Sequence, residues 1–99
     1  MAQLTITPRK AGDVTILDLI GKITMGEGAA QLRAEIHEQL NNGSVKLLLK
    51  LAGVSYVDNS GIGELVSSYT ATSNRRGRLM LLNPNPKLLD LLAITHLIT

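Results

Sequence analysis

Cysteine, tryptophan and phenylalanine are all missing from this 99-residue chain, whose only aromatic side chains are Tyr56 and Tyr69. Without thiols there is no disulfide framework, no thiolate metal site and no cysteine nucleophile, a usage that suits a cytoplasmic protein. Two tyrosines make no series of stacking platforms for single-stranded nucleic acid. Charge of one sign is also scarce: ten basic against eight acidic residues leave a formal net charge of +2. Apart from Arg75, Arg76 and Arg78 the basic residues are dispersed, so no direct nucleic-acid partner is expected. The longest apolar runs fall well short of the roughly 20 residues that a membrane-spanning helix needs. The opening MAQLTITPRK alternates as a strand does, unlike a secretory leader.

What is there fits one small domain, 1–99, of a size that buries about two-thirds of its unfolded surface without staples. Leu4 to Thr7 alternates with period two and is expected to stop at Pro8 as an edge strand. A turn at Lys10 to Asp13 leads to a second strand, Val14 to Ile20, hairpin-paired with the first. Gly21 breaks it, with a short third strand at Lys22 to Thr24. Gly26-Glu27-Gly28 then opens a helix whose Ala29, Leu32, Ile36 and Leu40 share one face, and Asn41-Asn42-Gly43 closes it.

The run Val45 to Leu51 reads as a central strand covered on both faces. A loop, Ala52 to Asp58, would deliver the chain to a second helix with Ile62, Leu65, Val66, Tyr69 and Ser73 on its inner face, ending at Arg75-Arg76-Gly77. Arg78 to Leu82 is another buried strand. Asn85 as N-cap and Pro86 at the first helical position begin a last helix with Leu88, Leu89 and Leu92 facing inward. The order predicts a small α/β domain. An initial antiparallel strand pair is followed by parallel βαβ units in one mixed sheet, with helices packed on it.

Chemistry concentrates at the junction Val57-Asp58-Asn59-Ser60-Gly61-Ile62-Gly63-Glu64, beyond the carboxyl end of the central strand. A phosphate loop would need a lysine after the glycines, and a dinucleotide fingerprint would need glycine at Val66. A nucleophile elbow around Ser60 would need glycine at Asp58. His37 and His96 have no spacing that ties them to Ser60 as a base, and two isolated histidines make no metal site. No enzyme, cofactor or metal is therefore expected.

Asp58, Asn59 and Ser60 are all good N-cap residues, and one of them sufficing as the cap is the plainest reading. One cap does not need three such residues. Gly61 and Gly63 each weaken a helix's first turn by about 1 kcal/mol relative to alanine. Their missing side chains would leave room for another molecule's backbone. Asp58 serves as a capping acid or a partner contact, Ile62 as a core or contact residue, and Glu64 as a solvated first-turn acid.

Asp58-Asn59-Ser60-Gly61-Ile62-Gly63, after Val54-Ser55-Tyr56-Val57, resembles the D-[ST]-[ST]-G-[LI]-G signature of bacterial anti-sigma factor antagonists, single-domain members of the STAS class. The strand pair, Gly21, the Leu-rich strand, the Gly77 break and the strand Leu79 to Leu82 extend the resemblance over nearly the whole chain. It implies a STAS-like fold and a cytoplasmic regulator whose phosphoacceptor is Ser60. Asp58, Asn59, Ser60, Gly61, Ile62 and Gly63 would form the partner-binding surface.

The implied partners are an anti-sigma factor, itself a serine kinase, and a serine phosphatase. Unphosphorylated antagonist binds the anti-sigma factor and releases a sigma factor; phosphorylation abolishes the binding. The alternative is a non-phosphorylated STAS scaffold or ligand-binding module of a larger signalling assembly. Asn59 departs from the signature, and Thr24 stands where the family often has an acid. Met25-Gly26-Glu27-Gly28 is a different loop from the family's, which leaves the partner's identity open. Relatives usually continue past the point where this chain ends, so a domain trimmed after Thr99 is expected, as is a monomer or weak dimer.

Overall fold

The computed structural model describes residues 4–82. Strands β1 (Leu4–Ala11) and β2 (Val14–Ile23), helix α1 (Glu27–Asn41), strand β3 (Lys46–Val57), helix α2 (Asn59–Asn74) and strand β4 (Arg78–Leu82) follow in that order. The sequence reading's last helix, from Asn85 onward, lies outside the described residues.

The strands form one sheet in the order β1-β2-β3-β4. β1 and β2 are antiparallel, and β2–β3 and β3–β4 are parallel. A two-residue loop suffices for the hairpin, and its Gly12 takes φ +66°, the conformation that such turns favour in glycine. The parallel pairs need crossovers, which α1 and α2 supply. The expected mixed α/β architecture is thus what forms.

Three boundaries differ from those expected. β1 runs through Pro8 to Ala11, with Pro8 opposite Leu17. An outer strand has one side that pairs with no described strand, so a missing N–H is tolerated there. No separate third strand follows Gly21. β2 continues to Ile23, and the register against β3 shifts between Asp18 and Ile20 and again between Gly21 and Lys22. Finally, β3 does not end at Leu51 but continues through Gly53, opposite Ile20, to Val57, opposite Ile23. A Cβ at Gly53 would lie 2.8 Å from the Leu19 carbonyl oxygen. Glycine here permits close strand approach rather than ending the strand.

The core lies between this sheet and the two helices. Leu17, Leu19 and Ile23 of β2, Leu47, Leu49 and Leu51 of β3, and Leu79 of β4 meet Leu32, Ile36 and Leu40 of α1 and Leu65 of α2. β3 is therefore not covered equally on both faces: its odd-numbered leucines are buried, whereas Leu48 and Lys50 are half-buried. The other face carries a charge ladder across three strands. Asp18 accepts a hydrogen bond from Arg9 Nε at 2.8 Å and lies 3.6 Å from Lys50 Nζ. β4 likewise buries Leu79 but exposes Met80, because a strand packed on one face alternates.

Candidate functional site

The extension of β3 carries the chain beside the end of β2 before α2 begins. Asp58 N–H still donates to the Ile23 carbonyl at 3.3 Å. With φ −92° and ψ −175°, Asp58 is the extended N-cap of α2, and its Oδ1 accepts from Gly61 N–H at 2.8 Å. Its other oxygen, Oδ2, accepts from Met25 N–H at 2.9 Å. One carboxylate thus closes the first turn of α2 and pins the loop between β2 and α1. Those bonds, Met25 first and then Gly61, hold its pKa below the ordinary carboxylate value.

Ser60 is exposed on the first turn of α2, as is Asn59. The two glycines beside it have different reasons to be there. Gly61 is buried, and a Cβ on it would collide with the Ile23 carbonyl oxygen and the Val57 side chain. Its missing side chain lets the tip of α2 seat on the strand ends, so the chain itself fills that space. Gly63 is exposed, and a Cβ there would meet nothing within 4 Å. No contact inside the described domain requires glycine at that position. Ile62 is half-buried against the core.

α2 turns a different side inward from the one its apolar residues suggested. Gly61, Glu64, Leu65, Ser68 and Thr72 are buried, while Tyr69 is 42% exposed. Glu64 is accordingly not a solvated acid: it is 5% exposed and accepts from Arg33 of α1, at 3.1 Å from Nε to Oε1 and 3.3 Å from Nη2 to Oε2. This partnership raises the Arg33 pKa above its ordinary value. Arg33, Glu64 and Ser60 line a cleft of about 280 Å³ with Met25, Gly26 and Ala29. Local sequence offered no sign of the ion pair, since its members lie 31 positions apart on different helices.

Neither histidine enters this arrangement within the described residues: His37 is exposed on α1, and His96 lies beyond them. Among the described residues no three His, Asp or Glu side chains group as metal ligands. No described helix is long and apolar enough to cross a membrane. Arg75 has a structural partner, donating from Nη1 to the Leu40 carbonyl and from Nη2 to Asn41 Oδ1. It thereby caps the C-terminus of α1 rather than that of its own helix.

A mixed sheet with two helices on one face and an acid-capped helix tip at the strand ends defines a small α/β module of a known kind. The chain belongs to the STAS domain family, whose profile matches residues 5–98. The anti-sigma F factor antagonist of Lysinibacillus sphaericus is 29% identical over 75 residues, which make up 75% of this chain and 63% of that protein. This chain thus matches less than two-thirds of that relative's length.

The fold also matches the anti-sigma factor antagonist SpoIIAA in its unphosphorylated form, with a TM-score of 0.77 and 21% identity over 91% of this chain and 83% of that one. The phosphorylated form of the Bacillus cell fate determinant SpoIIAA gives 0.78 and 21% over 94% and 85%.

Proposed function

We propose that this domain is an anti-sigma factor antagonist, a cytoplasmic regulator and not an enzyme, controlled by phosphorylation of Ser60. In its unmodified form it binds an anti-sigma factor that is a serine kinase and so frees a sigma factor. The kinase transfers the γ-phosphoryl group of ATP to the Ser60 hydroxyl, with loss of its proton and release of ADP. A serine phosphatase restores the hydroxyl by hydrolysis. The observation that carries this reading is the exposed Ser60 on a helix tip whose capping is already supplied by Asp58. The likeness to the Lysinibacillus anti-sigma F factor antagonist supports the antagonist part of this reading.

The partner surface in this proposal is centred on Asn59, Ser60 and Gly63, with Asp58 and Ile62 at its half-buried base and Gly61 seating the tip. Met25 and Tyr56, 76% and 48% exposed, add apolar area of the kind that partner surfaces use. A phosphoserine brings a charge of about −1.5 to −2. At a helix N-terminus that charge meets the positive end of the dipole, so the domain tolerates it. The cost then falls on the complex, through bulk and desolvation of a dianion.

Incubation with ATP and the partner kinase tests the proposal. Mass spectrometry is expected to find one phosphate, on Ser60, and none in Ser60→Ala. A domain that binds its partner without ever accepting phosphate would be a non-phosphorylated scaffold instead.

A further inference from the structure

Glu64 is a buried acid held by a guanidinium from another helix. Side chains on a helix lean toward its N-terminus, so Glu64 reaches back over the turn that carries Ser60. The two residues are four apart and therefore neighbours on one helix face. Among the described residues, Arg33 and Glu64 are the charged side chains lining the cleft that Ser60 borders. The Glu64 side chain is 6% exposed, whereas the Arg33 side chain is 66% exposed and can turn without being desolvated.

We propose that Arg33 is the internal counter-ion of a phosphate on Ser60, its guanidinium bridging the Glu64 carboxylate and the phosphoryl oxygens. This rests on the reading of Ser60 as phosphoacceptor. Without such a cation, a dianion would stand one helical turn from a buried carboxylate, and like charges at that spacing repel. Five N–H donors in a planar fork let one guanidinium serve both anions or pass between them. Phosphorylation then adds a second tie between α2 and α1 and redirects part of the Arg33 guanidinium toward the helix tip. The surface offered to a partner changes across the cleft as well as at the hydroxyl.

The test installs phosphoserine at position 60 during translation by amber suppression, so no kinase is needed. The second ionisation of the phosphate is then followed by phosphorus NMR across pH. It is expected at a pH lower by about half a unit or more in the parent protein than in Arg33→Gln, with Arg33→Lys keeping only part of the shift. Because Arg33→Gln alone strands the buried acid, the comparison is repeated with Glu64→Gln in both proteins. There the shift is expected to grow, since the phosphate no longer shares the guanidinium. Folded proteins with and without Arg33 whose phosphates titrate together in that background would overturn the proposal. A kinase that never modifies Ser60 would instead remove the regulatory reading and leave this titration unchanged.

Discussion

The two ends of helix α2 solve the same problem with different economy. At the C-terminus, Gly77 N–H bonds the Thr72 carbonyl and Arg76 N–H bonds the Ser73 carbonyl, both at 2.9 Å. This is a Schellman closure with Arg76 in the left-handed conformation at φ 60°. Gly77 is glycine because a Cβ there would collide with the Val45 carbonyl oxygen. At that end the left-handed turn answers to its backbone hydrogen bonds and Gly77 to packing. At the N-terminus, Asp58 and Gly61 have the same kind of explanation, but Ser60 and Gly63 do not. Residues left over once the fold has been accounted for are the ones to assign to function.

The largest expected effect tests the half of this contrast that rests on packing. Gly61→Ala and Gly77→Ala should each destabilise by about 2–3 kcal/mol in urea unfolding, because the atoms in the way are backbone carbonyls that cannot turn aside. A near-neutral Gly61→Ala would break the division between the two glycines of the tip.

Asp58→Asn comes next. It retains a capping oxygen for Gly61 N–H but sets a donor against Met25 N–H, and is expected to lower the thermal midpoint at neutral pH by roughly 5 °C. The Asp58 pKa is depressed in the folded state. Its stabilisation is therefore present above the unfolded value of about 3.9 and is lost as pH falls through the folded value. The gap between parent and variant should close below about pH 4. Only the difference is diagnostic, because Asp13 and Asp18 are also held low, by Lys46 and Arg9.

The smallest effects sharpen the comparison most. Arg76→Gly removes a left-handed non-glycine and should stabilise by about 1 kcal/mol with partner binding unchanged. Gly63→Ala should stabilise by about 0.5–1 kcal/mol, since no described residue occupies the space of the new methyl. It should nevertheless weaken binding to the anti-sigma factor in calorimetry. Equal binding by both variants would leave Gly63 without a role.

Much of this was legible because the relevant signals are local. The β1–β2 hairpin and the α1 stripe of Ala29, Leu32, Ile36 and Leu40 follow from spacing and turn residues, and these four are buried as expected. The capping role of Asp58 at the tip could be read in the same way. The inner face of α2 was not legible. Its buried positions other than Leu65 are glycine, serine, threonine and a glutamate, so the apolar residues pointed about 100° away from the true contact. Leu51 looked like a strand end because Ala52-Gly53 interrupts the apolar run, whereas glycine there lets two strands approach at a register shift. The Arg33–Glu64 pair depends on how two helices come together, and pairwise contacts of that kind leave no trace in local sequence.

In the proposed switch, charge at the exposed Ser60 lowers partner affinity while the domain stays folded. Ser60→Asp tests it most directly, with calorimetric titration against the anti-sigma factor and a thermal melt made on the same sample. The midpoint is expected within about 3 °C of the parent and the affinity lower by at least about tenfold. Undiminished affinity, or a variant that has lost its cooperative melt, would contradict it.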